Sequence, residues 1–217
     1  MNIQLAYALF KKADGGKLKI DVYAEVENLG FEKRVCVKNP DTGEEFCEAK
    51  FSGFTGSNQE CWHGEFEVDT PAGKADIPFI LEYRIDGKMF IDDNTGNRYV
   101  ISPGMPEIMI QSGMIFLIDA SLNGTQFSGR IGIRKSGEIS SVKVFYTTDK
   151  WQTVQETPAE FAHSLPPAFG AAVYTFSARV KNLKNTEALH FYLSCMIDGE
   201  TYWGNNFSRD YILKVKS

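Results

Sequence analysis

The sequence has no long hydrophobic run and no cluster of positive charge. No stretch approaches the ~18 consecutive apolar residues of a membrane-spanning helix. Lysine and arginine are scattered and the net charge is −5, which argues against nucleic acid because its phosphates require clustered cations. At the N-terminus the charges follow a short apolar run, whereas a secretory signal carries them before it. We therefore expect a cytoplasmic protein with neither nucleic-acid nor membrane partners.

Cysteine is also scarce and unevenly placed. Three cysteines, Cys36, Cys47 and Cys61, lie in the first half and Cys195 lies in the second, with no C-x-x-C pair. This distribution fits neither a disulfide framework nor a zinc site. Cys61 and His63 flank a tryptophan and could be imagined in a metal site, but a small buried thiol beside a surface histidine is the simpler interpretation. We expect no metal and no other cofactor.

Groups suited to catalysis are few. The chain has three histidines, none beside a nucleophile motif, and it lacks G-x-S-x-G. A glycosidase needs two carboxylates facing each other across a cleft, whereas Asp92 and Asp93 are neighbours on a predicted strand and point to opposite faces. The sequence therefore predicts a protein that is not an enzyme.

What the sequence does contain is a repeat. The segments Phe90–Ile101 (FIDDNTGNRYVI) and Tyr202–Leu213 (YWGNNFSRDYIL) each follow an Ile-Asp-Gly turn, and Ile3-Gln4 aligns with Ile110-Gln111 at an offset of 107. A repeat of this length is a copied domain, because solenoid units span about 20–50 residues. A Pro/Gly-rich segment at 102–106 then predicts domains 1–103 and 104–217.

Apolar residues alternate with polar ones along most segments. Examples are Leu18, Ile20, Val22 and Ala24; Phe79, Leu81 and Tyr83; and Phe127, Ile131 and Ile133. This period of two is typical of half-buried strands, and the Asp-Gly pairs 86–87 and 198–199 are strong hairpin signals. The fold class expected is all-β, with an antiparallel β-sandwich in each half.

Exposed aromatics beside amides indicate the chemistry of the second half. Trp151 follows a predicted strand in a polar loop, where it either stacks on a ligand or closes over the sandwich. Tyr202 and Trp203 are neighbours on a strand, so one faces the core and the other is exposed. Asn205 and Asn206 follow in a turn. Rings that stack on the CH face of a sugar, beside amides that bond its hydroxyls, are one interpretation; a hairpin with core aromatics is the other.

Three segments resemble carbohydrate-binding module family 21, the starch- and glycogen-binding domain of fungal glucoamylases and of glycogen-targeting subunits of protein phosphatase 1. Val26–Lys38 is similar to its opening signature, Val142–Trp151 to its strand-turn-tryptophan element, and Tyr202–Tyr211 to its closing motif. The resemblance implies two tandem immunoglobulin-like β-sandwiches that bind an α-glucan and have no catalytic activity of their own.

Neither half carries the whole family pattern. The first has Phe31-Glu32-Lys33 but no tryptophan in Asn39–Phe46, whereas the second has Trp151 but Ile139–Ser141 in place of Phe-Glu-Lys. We therefore expect the stronger glucan site in the second half. The stacking residues implied are Trp151, Tyr202 or Trp203, and Tyr211; the hydroxyl-binding residues are Asn205, Asn206 and Asp149; and a second locus in the first half comprises Lys33, Glu32, Asn94 and Tyr99.

The expected partner is an α-glucan of the glycogen or starch type. The alternative is a protein–protein interaction module whose exposed aromatics bind another protein. The family also implies a phosphatase catalytic subunit or an amylolytic enzyme as a partner. Phosphatase docking needs a basic-Val-x-Phe motif, and the near matches at 33–37 and 143–146 fall within predicted strands.

Overall fold

The computed structural model describes residues 2–69, 76–102, 104–166, 169–181, 183, 186–207 and 209–215. Within these residues all strand pairs are antiparallel, and helical structure is limited to short 3-10 turns such as that at Asp14–Gly16. The chain divides into two compact units, Met1–Ser112 and Gly113–Ser217. The expectation of an antiparallel all-β protein is confirmed.

The first unit contains two sheets. Its strands are β1 (Ile3–Lys12), β2 (Lys17–Glu27), β3 (Lys33–Lys38), β4 (Glu45–Glu48), β5 (Lys50–Gly56), β6 (Gln59–Asp69), β7 (Ile77–Ile85), β8 (Lys88–Asp92), β9 (Tyr99–Ile101) and β10 (Ile108–Ile110). One sheet has the order β10-β1-β2-β6-β5, and the other has the order β4-β3-β7-β8 with β9 paired to β7. Both sheets contribute fully buried side chains, including Ile20 and Leu81, so the hydrophobic core lies between them.

The second unit forms one continuous path of strands. These are β11 (Ile115–Asn123), β12 (Gln126–Arg134), β13 (Ile139–Thr147), β14 (Gln155–Ser164), β15 (Ala171–Arg179), β16 (Ala188–Ile197), β17 (Glu200–Gly204) and β18 (Tyr211–Lys214). Their order is β11-β12-β15-β14-β13-β16-β17, with β18 paired to β16. The path is continuous because the first part of β14 pairs with β13 and its second part pairs with β15.

Alternation positions the core as the sequence predicts. On β7 the side chains of Phe79, Leu81 and Tyr83 are fully buried. On β13, Val144 is buried in the core and Phe145 beside it points to the other face, because successive strand residues alternate. The outer face of β13 is therefore free to carry functional side chains.

The two units pair corresponding strands in the same register. Opposed residues in the first unit recur in the second with an offset of 112: Phe79 with Tyr99 and Leu81 with Asp92, then Phe191 with Tyr211 and Leu193 with Gly204. The first strands agree as well, since β1 has its bulge between Leu5 and Tyr7 and β11 between Leu117 and Asp119.

The alignment of Ile3-Gln4 with Ile110-Gln111 is therefore wrong. The bulges align Ile3 with Ile115, whereas Ile110 lies on β10 opposite Tyr7 of the first unit. Because β10 pairs with β1, residues up to Ser112 belong to the first unit, and the division falls after Ser112 instead of after residue 103. A short apolar match in the sequence does not distinguish these two strands.

Candidate functional site: an aromatic face on the second unit

Four aromatic rings form a cluster on the outer side of β13, β16 and β17; we call Phe145, Trp151, Tyr192 and Trp203 the aromatic face. Phe145 stacks on Tyr192 with ring centroids 5.1 Å apart and planes inclined by 20°. The ring centroid of Trp203 lies 5.7 Å from that of Tyr192, and the ring centroid of Trp151 lies 5.1 Å from it. Trp203 is 56% exposed, so the cluster presents a large apolar surface to solvent.

The loop that carries Trp151 is built by Asp149. Thr147 Oγ1 donates to Asp149 Oδ1 at 2.6 Å, and Thr153 donates from its backbone N to Oδ1 and from its Oγ1 to Oδ2. These hydrogen bonds stabilise the carboxylate and lower the pKa of Asp149 to about 2. Both carboxylate oxygens are thus used within the turn, which makes Asp149 a residue that shapes the loop.

Trp151 itself has an unusual backbone conformation. Lys150 and Trp151 have φ of 56° and 67°, a region that bulky residues rarely adopt. The indole Nε1 donates to Asp210 Oδ2 at 2.7 Å. Trp151 is half-buried, with its ring inclined by 36° to Tyr192, so it forms part of the aromatic face instead of covering the core.

Hydrogen bonds within the loop after β17 hold the backbone of Asp210 in place. Asn206 Nδ2 donates to the backbone O of Asp210 at 2.9 Å, and Asp210 N donates to the backbone O of Asn205 at 3.0 Å. Asn206 and Asp210 both have φ near +60°, at 51° and 60°. The Asn206 amide donor therefore maintains the loop, and its Oδ1 has no protein partner among the described residues.

Two of the predicted stacking residues lie on the core side. Tyr202 is half-buried against the core and its hydroxyl donates to Glu200 at 2.9 Å. Tyr211 stacks on the fully buried Phe191, with centroids 5.2 Å apart. The sequence left open which of Tyr202 and Trp203 is exposed, and the structure places Trp203 on the outer face.

The corresponding residues of the first unit are used for folding. Asn94 Nδ2 donates to the backbone O of Arg98 at 3.0 Å, as Asn206 does to Asp210. Tyr99 is 4% exposed, its hydroxyl donates to Asp92 at 2.8 Å, and burial raises the pKa of Tyr99. Neither Asn94 nor Tyr99 offers a surface for stacking.

The first unit has no aromatic ring at the register positions of the aromatic face that lie on strands. Lys38, Ile80 and Ile91 stand there in place of Phe145, Tyr192 and Trp203. Arg98, which corresponds to Asp210, forms an ion pair with Asp41 at 2.6 Å. That ion pair joins the same two loops that the Trp151–Asp210 hydrogen bond joins in the second unit.

A different aromatic group lies on the edge strand β5 and its neighbour β6 in the first unit; we call Phe51, Phe54 and Trp62 the edge cluster. Phe51 lies 5.2 Å from Phe54 and 6.2 Å from Trp62, in edge-to-face geometry. Phe54 is 56% exposed and Phe51 is 40% exposed. Sequence reasoning did not identify these residues, although Phe51 and Phe54 stand out as aromatics in a polar segment.

Lys33 is connected to the edge cluster through Glu60. Lys33 Nζ lies 2.5 Å from Glu60 Oε1, and Trp62 Nε1 donates to Glu60 Oε2 at 3.0 Å. The Lys33 side chain is only 9% exposed, so it orients Glu60 and is not accessible to a ligand. Glu32 is exposed beside it, and Phe31 is fully exposed on the same loop.

Possible metal ligands are already engaged in ionic contacts. Among the described residues, Cys36, Glu45 and Glu48 bring three ligand atoms within 4.8 Å of one another. Arg34 donates to both carboxylates, at 2.7 Å to Glu45 and 2.8 Å to Glu48, and thereby offsets part of their charge. Burial raises the pKa of Cys36 to about 11, which disfavours the thiolate that a metal would need.

Sequence reasoning missed Phe145 and Tyr192 in the aromatic face, and Asp210, which accepts a hydrogen bond from Trp151. Phe145 and Tyr192 lie in strands where an outward aromatic looks like any other apolar residue. The available signal was parity: both alternate with buried neighbours, Val144 and Phe191, so they face outward.

Comparison with known proteins gives this face a context. Residues 110–214 match the family model of the carbohydrate/starch-binding module, family 21. This family 21 match contains all four residues of the aromatic face. Within the described residues, no helix is long and apolar enough to span a membrane.

The chain is also similar to a curated protein and to a solved structure. Protein phosphatase 1 regulatory subunit 3E of Homo sapiens is 29% identical over 93 residues, which cover 40% of this chain and 33% of the relative. The chain thus spans about a third of the length of that curated relative. A solved structure of a circularly permuted family 21 module, described for altered selectivity in carbohydrate binding, is 23% identical with a TM-score of 0.35, and the likeness covers 50% of this chain and 97% of the other.

Proposed function

We propose that the protein binds an α-glucan of the glycogen or starch type, without catalysis, through the aromatic face of the second unit. The observation that carries the proposal is a cluster of four rings, in which Trp151 and Trp203 both contact Tyr192, inside the segment that matches a starch-binding family. Aromatic rings bind sugars by covering their apolar CH faces. Rings at mutual angles of 36° and 63° suit a curved chain better than a flat one.

Polar groups at the rim bind the sugar hydroxyls in this proposal. Asn206 keeps its Oδ1 as an acceptor, and Asn205 lies half-buried at the start of the same loop. Asp149 contributes by fixing the position of Trp151, because its oxygens are bonded to Thr147 and Thr153. Tyr202 and Tyr211 support the sandwich from its core side.

We further propose that the first unit is a second module of the same family and a weaker glucan locus. The equal registers of β7, β8 and β9 with β16, β17 and β18 support this. Its locus would be the edge cluster with Phe31, since the counterpart of the aromatic face carries aliphatic side chains and an ion pair. Lys33 and Glu60 would position Trp62 there.

The proposed affinity follows from few contacts. Each stacked ring contributes about 1 kcal/mol and each hydrogen bond at the rim about as much, so one site binds only weakly, with a Kd of roughly tens to hundreds of micromolar. Two loci on one polymer raise the apparent affinity by roughly a hundredfold when both engage, because the second binding event becomes intramolecular. A duplicated module is therefore useful on a long glucan and of little benefit on a short oligosaccharide.

The test is affinity electrophoresis on native gels that contain glycogen, amylose or cellulose. We expect retardation by the two α-glucans and not by cellulose, reduced in Trp151→Ala and reduced further when Phe54→Ala is added. Ile91→Ala, on the face of the first unit without rings, is the matched control and should migrate as wild type. No retardation of the wild type by glycogen or amylose would refute the proposal.

A phosphatase catalytic subunit is the second candidate partner, because the curated relative is a regulatory subunit of protein phosphatase 1. The near-match motifs do not present a free strand for docking. Lys33–Val37 belongs to β3, which pairs with β4 and β7, and Lys143–Tyr146 belongs to β13, which pairs with β14 and β16. A pull-down with the purified catalytic subunit tests this candidate; failure to bind while glycogen retardation persists would leave glucan binding as the function.

A further inference from the structure

The orientation of Trp151 depends on a single side-chain acceptor. We propose that Asp210 is a positioning residue, which holds the Trp151 indole in the plane that a sugar stacks on; this inference rests on the proposed glucan binding. Trp151 is contributed by the loop after β13 and Asp210 by the loop after β17, so their hydrogen bond joins two loops that no described backbone hydrogen bond connects.

The loop backbone fixes where Trp151 starts but not how its ring is turned. Asp149 and Thr147 hold the backbone, since Trp151 N donates to Thr147 Oγ1 at 3.3 Å. Beyond Cβ the side chain makes a ring contact with Tyr192 and a hydrogen bond to the carboxylate of Asp210. The tilted contact with Tyr192 still allows the indole to turn about its Cβ–Cγ bond, whereas the bond from Nε1 at 2.7 Å fixes that rotation and with it the plane of the ring.

Asp210 is itself held firmly. Its backbone N and O are both bonded, to Asn205 O and Asn206 Nδ2, so the carboxylate projects from a closed loop. A carboxylate acceptor gives a stronger hydrogen bond than a neutral one. Burial raises the pKa of Tyr192, and the negative charge of Asp210 adds to this rise. Trp151, Tyr192 and Asp210 therefore form one connected group.

The first unit shows that a side-chain contact can join the two loops without orienting an aromatic ring. There Arg98 and Asp41 join the equivalent loops by an ion pair, with no ring involved. An ion pair without an aromatic ring is thus sufficient to join these two loops. In the second unit the donor is an indole, and the hydrogen bond determines the plane of its ring. Removing the acceptor should leave the sandwich folded and release the ring.

A Trp151 ring without its hydrogen bond to Asp210 binds a ligand less well, because part of the binding free energy is then used to immobilise the ring. We expect Asp210→Ala to weaken glycogen binding roughly tenfold, with a similar loss for Trp151→Phe, which keeps a ring but lacks the N–H donor. Asp210→Asn retains an acceptor oxygen and should stay within about threefold of wild type. The double variant Trp151→Phe with Asp210→Ala should lose little more than either single variant, because both remove the same bond.

The indole N–H signals in a 15N-correlated NMR spectrum separate positioning from direct contact. Three tryptophans give three signals, and Trp62 is an internal reference because its Nε1 donates to Glu60 at 3.0 Å. In Asp210→Ala the Trp151 signal should shift and exchange faster with solvent, while the Trp62 signal stays in place. Arg98→Ala, which breaks the equivalent tie in the first unit, should change neither the Trp151 signal nor glycogen binding.

Several outcomes would overturn the inference. Loss of binding in Asp210→Ala with an unmoved Trp151 signal would mean that Asp210 contacts the glucan directly. A moved signal with unchanged binding would mean that ring orientation does not matter, and additive losses in the double variant would mean that the two residues act independently. Absence of glycogen binding by the wild type would refute the proposed function itself, and the NMR shift would then report the tie without a role in binding.

Discussion

Neighbouring residues Tyr202 and Trp203 allow affinity and stability to be separated by single substitutions. Trp203 is 56% exposed and touches Phe145 and Tyr192 on the outer face, at centroid distances of 6.1 and 5.7 Å. Removing its ring costs about 1 kcal/mol of stacking, which corresponds to roughly fivefold weaker binding. Because most of the ring is already in water, Trp203→Ala should change the free energy of unfolding by less than about 1 kcal/mol.

Tyr202→Ala should have the opposite effect. Tyr202 packs on the core side of β17, opposite Cys195, and its truncation removes half-buried apolar area. We expect a loss of about 1–2 kcal/mol in the free energy of unfolding and no change in affinity. Calorimetric titration with a linear maltooligosaccharide measures the affinity, and urea unfolding followed by circular dichroism measures stability. If Tyr202→Ala weakened binding while Trp203→Ala did not, the assignment of the binding surface to the outer face would be refuted.

Three further substitutions test the supports of the two units. Gly132→Ala should destabilise the second unit by about 1–3 kcal/mol in urea unfolding, because a Cβ there would lie 2.4 Å from Cζ of the buried Phe116; an unchanged midpoint would contradict the packing. Lys33→Ala leaves Glu60, 5% exposed, without its cation and should cost roughly 3 kcal/mol, and a loss below about 1 kcal/mol would show the pair to be solvated. The pKa of Asp149 is lowered from 3.8 to about 2, so its stabilisation is complete above pH 4 and is lost as the pH falls towards 2; the urea midpoint of Asp149→Asn should fall less steeply over that window than that of wild type.

The sequence predicted those parts of the fold that depend on local pattern. Alternation identified the buried faces of β2 and β7, because each strand has one side against a core. The pairing of strands that are far apart in the sequence could not be predicted from such local patterns. β10 and β1 share an Ile-led pattern with β11, and only the ladder shows that β10 pairs with β1 while β11 pairs with β12.

The candidate site was predicted only in part, because local sequence pattern reveals single residues but not which residues the fold brings together. Trp151 and Trp203 stood out as tryptophans in polar surroundings, and the structure brings both to Tyr192. Tyr211 also stands beside polar residues in sequence, yet it stacks on Phe191, because β18 pairs with β16 on the core side. Asp210 gave no signal at all, since its role depends on a hydrogen bond to a residue 59 positions away.

The continuous β14 has a consequence for how the second unit opens. Its first four residues, Gln155–Pro158, pair with β13, and Ala159–Ser164 continues along β15. In the first unit the corresponding chain is divided at Ala49 into β4 and β5, which belong to different sheets. Hydrogen exchange in the second unit should therefore be cooperative, so that the strands that carry the aromatic face stay protected as long as β15 does. In the first unit the two sheets are not joined by such a strand, and the amides of one sheet can exchange before those of the other.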